Sequence, residues 1–289
     1  MGVHPLKGIG FCAGTAGLEL GIHIAEPEYR TVCWVERDAY AAASLVARME
    51  DKALDQAPIW SDLKTFDGKP WCGKVDILTA GYPCQPFSAS GKQLGEEDPR
   101  HLWPYIKKQI ESIRPTAVFC ENVVGHLDRG FSTVATQLQS MGFRIEAGVF
   151  SAAEVGASQR RMRLFFLAYT DSFMSGQLAR NRSDENGVEV SEWCSSGLHT
   201  NGGCGLDIPV QNGTTQTERM SDVSPFAPAP DDIEAWTSQL SMQSGMQPAV
   251  LREDDGIANR LDRYRLIGNG VLPLVAAHAW RTLTARVII

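Results

Sequence analysis

No two cysteines in this chain stand at Cys-x-x-Cys spacing. The seven that occur, at 12, 33, 72, 84, 120, 194 and 204, are odd in number and scattered. That argues against a disulfide framework and against a zinc site. No apolar run approaches the ~18 residues that a membrane span needs. The start, "MGVHPLKGIGF", lacks the apolar stretch of a signal peptide. It also has Leu6 where an acylated Met-Gly terminus wants Ser or Thr. These absences point to the cytosol. Positive charge is scarce as well: 27 Lys and Arg against 34 Asp and Glu leave a net charge of −7. This argues against broad, nonspecific nucleic-acid binding but not against a local basic groove. The arginines do cluster, in "SQRRMRLFF" (158–166) and "NRLDRYRLIGNG" (259–270). Neither Gly-x-Gly-x-x-Gly nor a phosphate-loop Gly-Lys-Ser/Thr occurs, and there is no internal repeat.

What is present is a strand–helix alternation. The 289 residues suffice for one large domain, or one with a small appendage. Strands are expected at 6–11, 31–36, 75–80, 116–123, 143–150 and 163–169. Helices are expected after Gly17, over 38–50 with Asp38 as cap, and over 101–113 with Pro104 near its start. Near-continuous apolar strands alternating with helices imply a parallel sheet covered on both faces. From about 171 the chain turns rich in Ser, Gly, Asn, Thr and Pro, which reads as a small loop-built region. Order returns near Ile233, and 272–287 reads as a closing helix. The expected division is a main domain of 1–170 with 265–289, and a small region of 171–264.

Polar and glycine signals fall where strands end, and in an open parallel sheet those ends line one crevice. Gly14 and Gly17 follow the first strand, where glycine admits a ligand close to the backbone. Glu36 ends the second, the position that takes ribose hydroxyls in doubly wound folds. Asp62 lies near enough to accept from an adenine amine. With no cations gathered for a pyrophosphate, this points to a nucleoside with a small tail. The same residues also fit a tight turn, a solvated strand end and a helix cap. A second cluster is chemical. Cys84, pinned between Pro83 and Pro86, needs cationic help to exist as thiolate, because a free thiol has a pKa of about 8.5. Arg161 and Arg163, two apart on one expected strand, would face the same way and supply it. Glu121 would protonate or hydrogen-bond a ring nitrogen if burial raised its pKa.

Taken together, "FCAGTAG", "VERDAY", "GYPCQPFSASGKQ", "ENV" (121–123), "QRRMR" (159–163) and "RLIGNGVLP" (265–273) resemble, in order, the motifs of the C5-cytosine DNA methyltransferase family. The likeness covers about 1–170 and 260–289. It implies a Rossmann-like, S-adenosylmethionine-dependent methyltransferase fold: a mostly parallel twisted α/β sheet with helices on both faces. It implies a cofactor pocket at Phe11, Cys12, Ala13, Gly14, Thr15 and Gly17, with Glu36, Arg37, Asp62, Leu63, Pro83, Asn269 and Val271. It also implies the chemistry. Cys84 adds to C6 of a cytosine flipped out of the stack. Glu121 engages N3, Arg163 holds O2, and Arg161 supports loop and thiolate. C5 then takes the methyl group, and the thiol is expelled. The loop after Cys84 would close on DNA, with Gln85 and Ser88 on the DNA surface, Ser90 helping to fill the space the base vacates, and Lys92 and Arg100 on phosphates. Arg260 and Arg263 extend the DNA surface.

The chain departs from the family at Cys12, where Phe is usual. It departs again at Ala16, where Gly is common, at Arg37, where an aromatic often stands, and in Gly-Asn-Gly for Gly-Asn-Ser. Residues 171–264 fall where the family reads its target. The expected partner is double-stranded DNA, met by a monomer, beside a possible cognate restriction endonuclease. The expected setting is a bacterial cytoplasm or a phage-infected one. Methylation of RNA cytosine, a silent DNA-binding homologue and a small-molecule nucleoside binder are the alternatives.

Overall fold

The computed structural model describes residues 5–83, 102–184 and 269–288. In chain order the elements are β1 (Lys7–Phe11), α1 (Gly17–Ala25), β2 (Arg30–Val35), α2 (Ala39–Glu50), β3 (Ile59–Trp60), β4 (Ile77–Ala80) and α3 (Trp103–Ile113). They continue with β5 (Ala117–Val123), α4 (His126–Arg129), α5 (Phe131–Ser140), β6 (Arg144–Phe150), β7 (Arg163–Tyr169), α6 (Asp171–Asp184) and α7 (Pro273–Ile288).

All seven strands join one sheet in the order β3-β2-β1-β4-β5-β7-β6. From β3 to β5 every neighbouring pair is parallel. The sheet is mostly parallel, as expected, with one exception: β7 runs antiparallel to both β5 and β6. The reason lies in residues 151–162. A parallel pairing needs a crossover, usually a helix, and this stretch forms only a 3-10 turn, Ala152–Val155, closed by a Ser151–Glu154 capping box. The chain therefore folds back beside β6.

Period-two alternation sorts the strand residues between two faces. Ile9, Phe11, Leu78, Ala80, Val118, Cys120, Leu164 and Phe166 pack with Ile106 and Ile110 of α3 and Leu138 of α5. Cys33 and Cys120 are core residues, as expected of thiols in apolar strands. On the other face Ile77, Phe119, Phe165 and Leu167 meet Leu18 and Ile22 of α1 and Trp280 and Leu283 of α7. Trp280 sits edge-on to Phe119 at 5.2 Å and to Phe173 of α6 at 5.9 Å between ring centroids. The packed body thus runs past residue 170, into the first turn of α6.

Two glycines let α1 and α7 close on each other. A Cβ at Gly17 would strike the Val271 carbonyl. One at Gly21 would strike the Ala276 methyl, 2.8 Å from the Pro273 carbonyl and 2.9 Å from the Ala277 amide. This contact brings the last helix, far away in sequence, against the first. Gly21→Val is expected to destabilise the protein by about 2 kcal/mol through overpacking, although valine is the better helix former. Urea unfolding measures this, and an unchanged midpoint would show that the helices do not depend on the close approach.

Candidate active site

The loop from Cys12 to Gly17 is built on unusual backbone. Cys12 (φ 52), Gly14 (φ 54) and Ala16 (φ 61) are all left-handed. Only glycine adopts this region without a steric penalty, which is of order 1–2 kcal/mol for other residues. The Cys12 and Ala16 departures therefore both fall at positions whose φ favours glycine. The turn is held by the Ala16 amide donating to the Ala13 carbonyl at 2.7 Å, and by Arg48 donating to the Thr15 carbonyl at 2.7 Å. The Cys12 thiol is pushed up to about 12, by burial first and then by Glu36 and Glu19. It is no thiolate. Phe11 is wholly buried, edge-on to Phe66, and reaches the rim with its backbone alone.

Glu36 is more than a solvated strand end. Its Oε2 accepts from the Gly14 amide at 2.8 Å and its Oε1 from the Asp38 amide at 2.7 Å. One carboxylate thus ties the β1 loop to the β2 end, while Asp38 caps α2 by accepting from Tyr40 and Ala41. Arg37 is exposed beside it. Asp62 accepts from the Lys64 amide at 2.9 Å, and Leu63 is buried below. A Cβ at Gly14 would meet nothing within 4 Å, so the loop leaves open space against its own backbone there.

The second half of the site lies two and three strands over. Glu121, at the end of β5, shares a sheet face with Phe119 and is 8 % exposed. Its Oε1 lies 3.0 Å from Nε of Arg163, the first residue of β7. Burial raises the Glu121 pKa and the Arg163 and Arg161 charges lower it; burial wins, and the carboxyl is pushed up to about 7. Such a group exchanges a proton near neutrality. The pairing of Arg161 and Arg163 along one strand needs correction, because β7 begins only at Arg163. Arg161 precedes the ladder, and its NH2 donates to the Gly270 carbonyl at 2.6 Å. It thereby fixes the backbone at Gly270, ahead of the closing helix. Both arginines, with Phe165, Val271, Leu272 and Val275, line a small hollow. Asn269 is exposed at its approach.

The two halves meet at Gly81. The point where its side chain would begin is 3.7 Å from the Cys12 carbonyl and 3.9 Å from Glu121 Oε2. Beyond it, Tyr82 is clamped. Its carbonyl accepts from Asn122 Nδ2 at 3.2 Å and its hydroxyl pairs with His126 Nε2 at 3.0 Å. Burial lowers the His126 pKa to about 4, so the ring is neutral. Pro83 follows at the surface. Cys84, Gln85, Ser88, Ser90, Lys92, Arg100, Arg260 and Arg263 lie outside the described residues.

Tyr82, His126, Glu19 and Thr79 escaped the reading of the sequence. Glu19 is 2 % exposed and its Oε1 lies 2.5 Å from Thr79 Oγ1. The available signal was "KGIGF". The Gly8 and Gly10 of β1 face away from Ile9 and Phe11, and side chains there would strike Tyr29 and Glu19 respectively. Glycine at alternate strand positions marks a large neighbour.

Residues 6–220 match the family model for C-5 cytosine-specific DNA methylase. The chain is 30% identical to the Type II methyltransferase M.PspPI of Psychrobacter sp. over 75% of this chain and 51% of that one. It is 32% identical to M.NgoMIV of Neisseria gonorrhoeae over 56% and 51%. It is 27% identical to M.NaeI of Lentzea aerocolonigenes over 95% and 73%. The chain spans about half the length of the first two. Among solved structures, the S. pombe Dnmt2 methyltransferase aligns with a TM-score of 0.46 at 19% identity, over 57% of this chain and 49% of that one. With the family model matching most of its length, the chain belongs to the C-5 cytosine-specific DNA methylases.

Proposed function

We propose that this protein transfers a methyl group from S-adenosylmethionine to C5 of a cytosine extruded from double-stranded DNA. The observation that carries the reading is the meeting at Gly81. A loop with open space at Gly14 and a buried carboxyl poised near pH 7 stand on either side of the strand that leads toward Cys84. The Type II names of the relatives support a place beside a restriction endonuclease.

The residues fit the methyl donor. Gly14 leaves room, and Glu36, at the β2 end, stands where ribose hydroxyls are held in sheets of this kind. Asp62 and Asn269 stand at the same edge. S-adenosylmethionine brings a methyl group activated on a sulfonium sulfur. The chain does the rest. The Cys84 thiolate forms a bond to C6, and the ring electrons move toward C5. Glu121, as the acid, donates a hydrogen bond or proton at N3 and relieves the charge that builds there. Arg163, freed in part from Glu121, holds O2 with a charge-assisted hydrogen bond. Arg161 keeps the 269–271 segment closed against this pocket. After C5 is methylated, its proton leaves to a base and the C6–sulfur bond breaks, returning the thiolate.

Two predictions follow from these roles. Cys84→Ala should abolish methyl transfer to a cytosine duplex and leave donor binding intact, while the wild type becomes covalently trapped on a 5-fluorocytosine duplex. Labelled-methyl assays with DNA and RNA competitors read this, and undiminished transfer by the alanine variant would refute the nucleophile. Glu121→Gln should lower kcat about 100-fold, the usual scale for losing a general acid. The wild-type rate should fall as pH rises through about 7, because the working form is the protonated one. The same proton affects stability. With its folded pKa raised above the ordinary 4.5, Glu121 contributes stability at low pH that is lost as pH climbs from about 4.5 to about 7. Urea midpoints across that window should fall more steeply for wild type than for the glutamine variant.

A further inference from the structure

Glu19 sits in the first turn of α1, directly behind the Cys12–Gly17 loop, and nothing in the proposed chemistry uses it. It is 2 % exposed, and its Oε2 has no hydrogen-bond partner among the described residues. Its Oε1 lies 2.5 Å from Thr79 Oγ1, which in turn lies 3.2 Å from the Ile9 carbonyl. A threonine hydroxyl carries one proton. If Glu19 is ionised, Thr79 faces two acceptors and satisfies one, and a buried charge keeps an unpartnered oxygen, which is costly. If Glu19 carries a proton on Oε1, it donates to Thr79, Thr79 donates to Ile9, and both contacts are hydrogen bonds.

The groups facing this carboxyl are Cys12 from the loop, Tyr29 from the turn before β2, and Glu36 from the β2 end. None is a cation. Cys12 and Tyr29 are both raised by burial and stay neutral, and the Glu36 charge opposes a second charge nearby. Burial outweighs the contacts with Thr79 and with its own backbone amide, which lower it, and Glu19 is pushed up to about 7. Gly10 exists to admit it: a Cβ there would strike Glu19 Oε1 and lie 3.2 Å from the Trp34 ring.

We propose that Glu19 is a positioning residue for the methyl-donor site: as a neutral acid it links α1 through Thr79 to β1 and β4, and this link holds the Cys12–Gly17 loop in its binding shape. The inference rests on the reading that S-adenosylmethionine binds at this loop. Thr79 stands two residues before Gly81, so the link joins the donor loop to the strand that leads to Cys84. Loss of the proton removes a donor from the chain of bonds and places a second negative charge beside Glu36, loosening the loop.

The test compares wild type, Glu19→Gln and Glu19→Ala as full-length proteins. S-adenosylmethionine and S-adenosylhomocysteine affinities are measured by calorimetry from pH 6 to 8.5, and urea stability from pH 5 to 8. The donor's own amine titrates near 8 and affects all variants alike, so the difference between them is what counts. Beyond that shared effect, wild-type Kd should rise about tenfold across the range, the scale of one buried hydrogen bond. Glu19→Gln, which keeps a neutral hydrogen-bonding group, should bind well and lack this extra rise. Glu19→Ala should bind about tenfold more weakly at every pH. Stability should fall with pH less steeply in Glu19→Gln than in wild type, by the share of one proton. If Glu19→Ala does not fold, Thr79→Val breaks the same link without a cavity and should raise Kd about tenfold. Equal pH slopes in wild type and Glu19→Gln, a glutamine variant as weak as the alanine one, or an unchanged Kd in Thr79→Val would each overturn the role of Glu19. If donor binding were absent from every variant at every pH, the donor reading itself would fall, and this role with it.

Discussion

A carboxyl group gives up its proton in water well below neutral pH, and only removal from water keeps it an acid at pH 7. The candidate site depends on that desolvation. Glu121 is shielded at the end of β5 and held by Arg163 across the antiparallel β5–β7 pair, on the face that α1 and α7 cover. The reversed strand matters here. Arg163 begins β7, and because β7 runs opposite to β5, its first residue lies beside the last residues of β5. In a parallel arrangement the start of β7 would lie at the far edge of the sheet. The one departure from a parallel sheet therefore puts an arginine next to the acid.

The covering helices depend on close approach. Gly17 and Gly21 bring α7 against α1, and Arg161 holds the segment leading into α7 through the Gly270 carbonyl. The hollow beside Arg163 is walled by residues from the start of β7 and from the segment leading into α7. The same face contains the Glu19–Thr79 contact, so the start of α1, the acid and the closing helix share one buried layer. Left-handed backbone at Cys12 and Ala16 adds strain to the loop. That conformation persists because Glu36, Arg48 and the α1 packing hold it from three sides.

Much of this architecture was legible in the residues alone. Apolar strands such as "TAVFCENV" and "RLFFLAY", the Asp38 cap and the paired glycines of "FCAGTAG" each carry local physics: alternation, capping and steric permission. The order of the motifs pointed to the family, and the glutamate at 121 was recognisable as an acid in need of burial. Less legible were contacts that no local pattern encodes. Nothing in "QRRMR" tells that the ladder starts at its last arginine, leaving Arg161 to reach Gly270. The clamp of Tyr82 by Asn122 and His126 joins side chains about 40 positions apart.

What the sequence by itself determined was the kind of chemistry on offer: a thiol flanked by prolines, an acid, arginines and a glycine loop, each expected at a strand end. Residue type and spacing carry that information because side-chain chemistry and backbone sterics are local. What only the tertiary structure decided was protonation and adjacency. Whether Glu121 and Glu19 hold protons near neutrality depends on the water excluded by helices from distant parts of the chain. Whether acid meets arginine depends on the direction in which β7 is laid down, because burial and strand order arise from the packing of the whole chain.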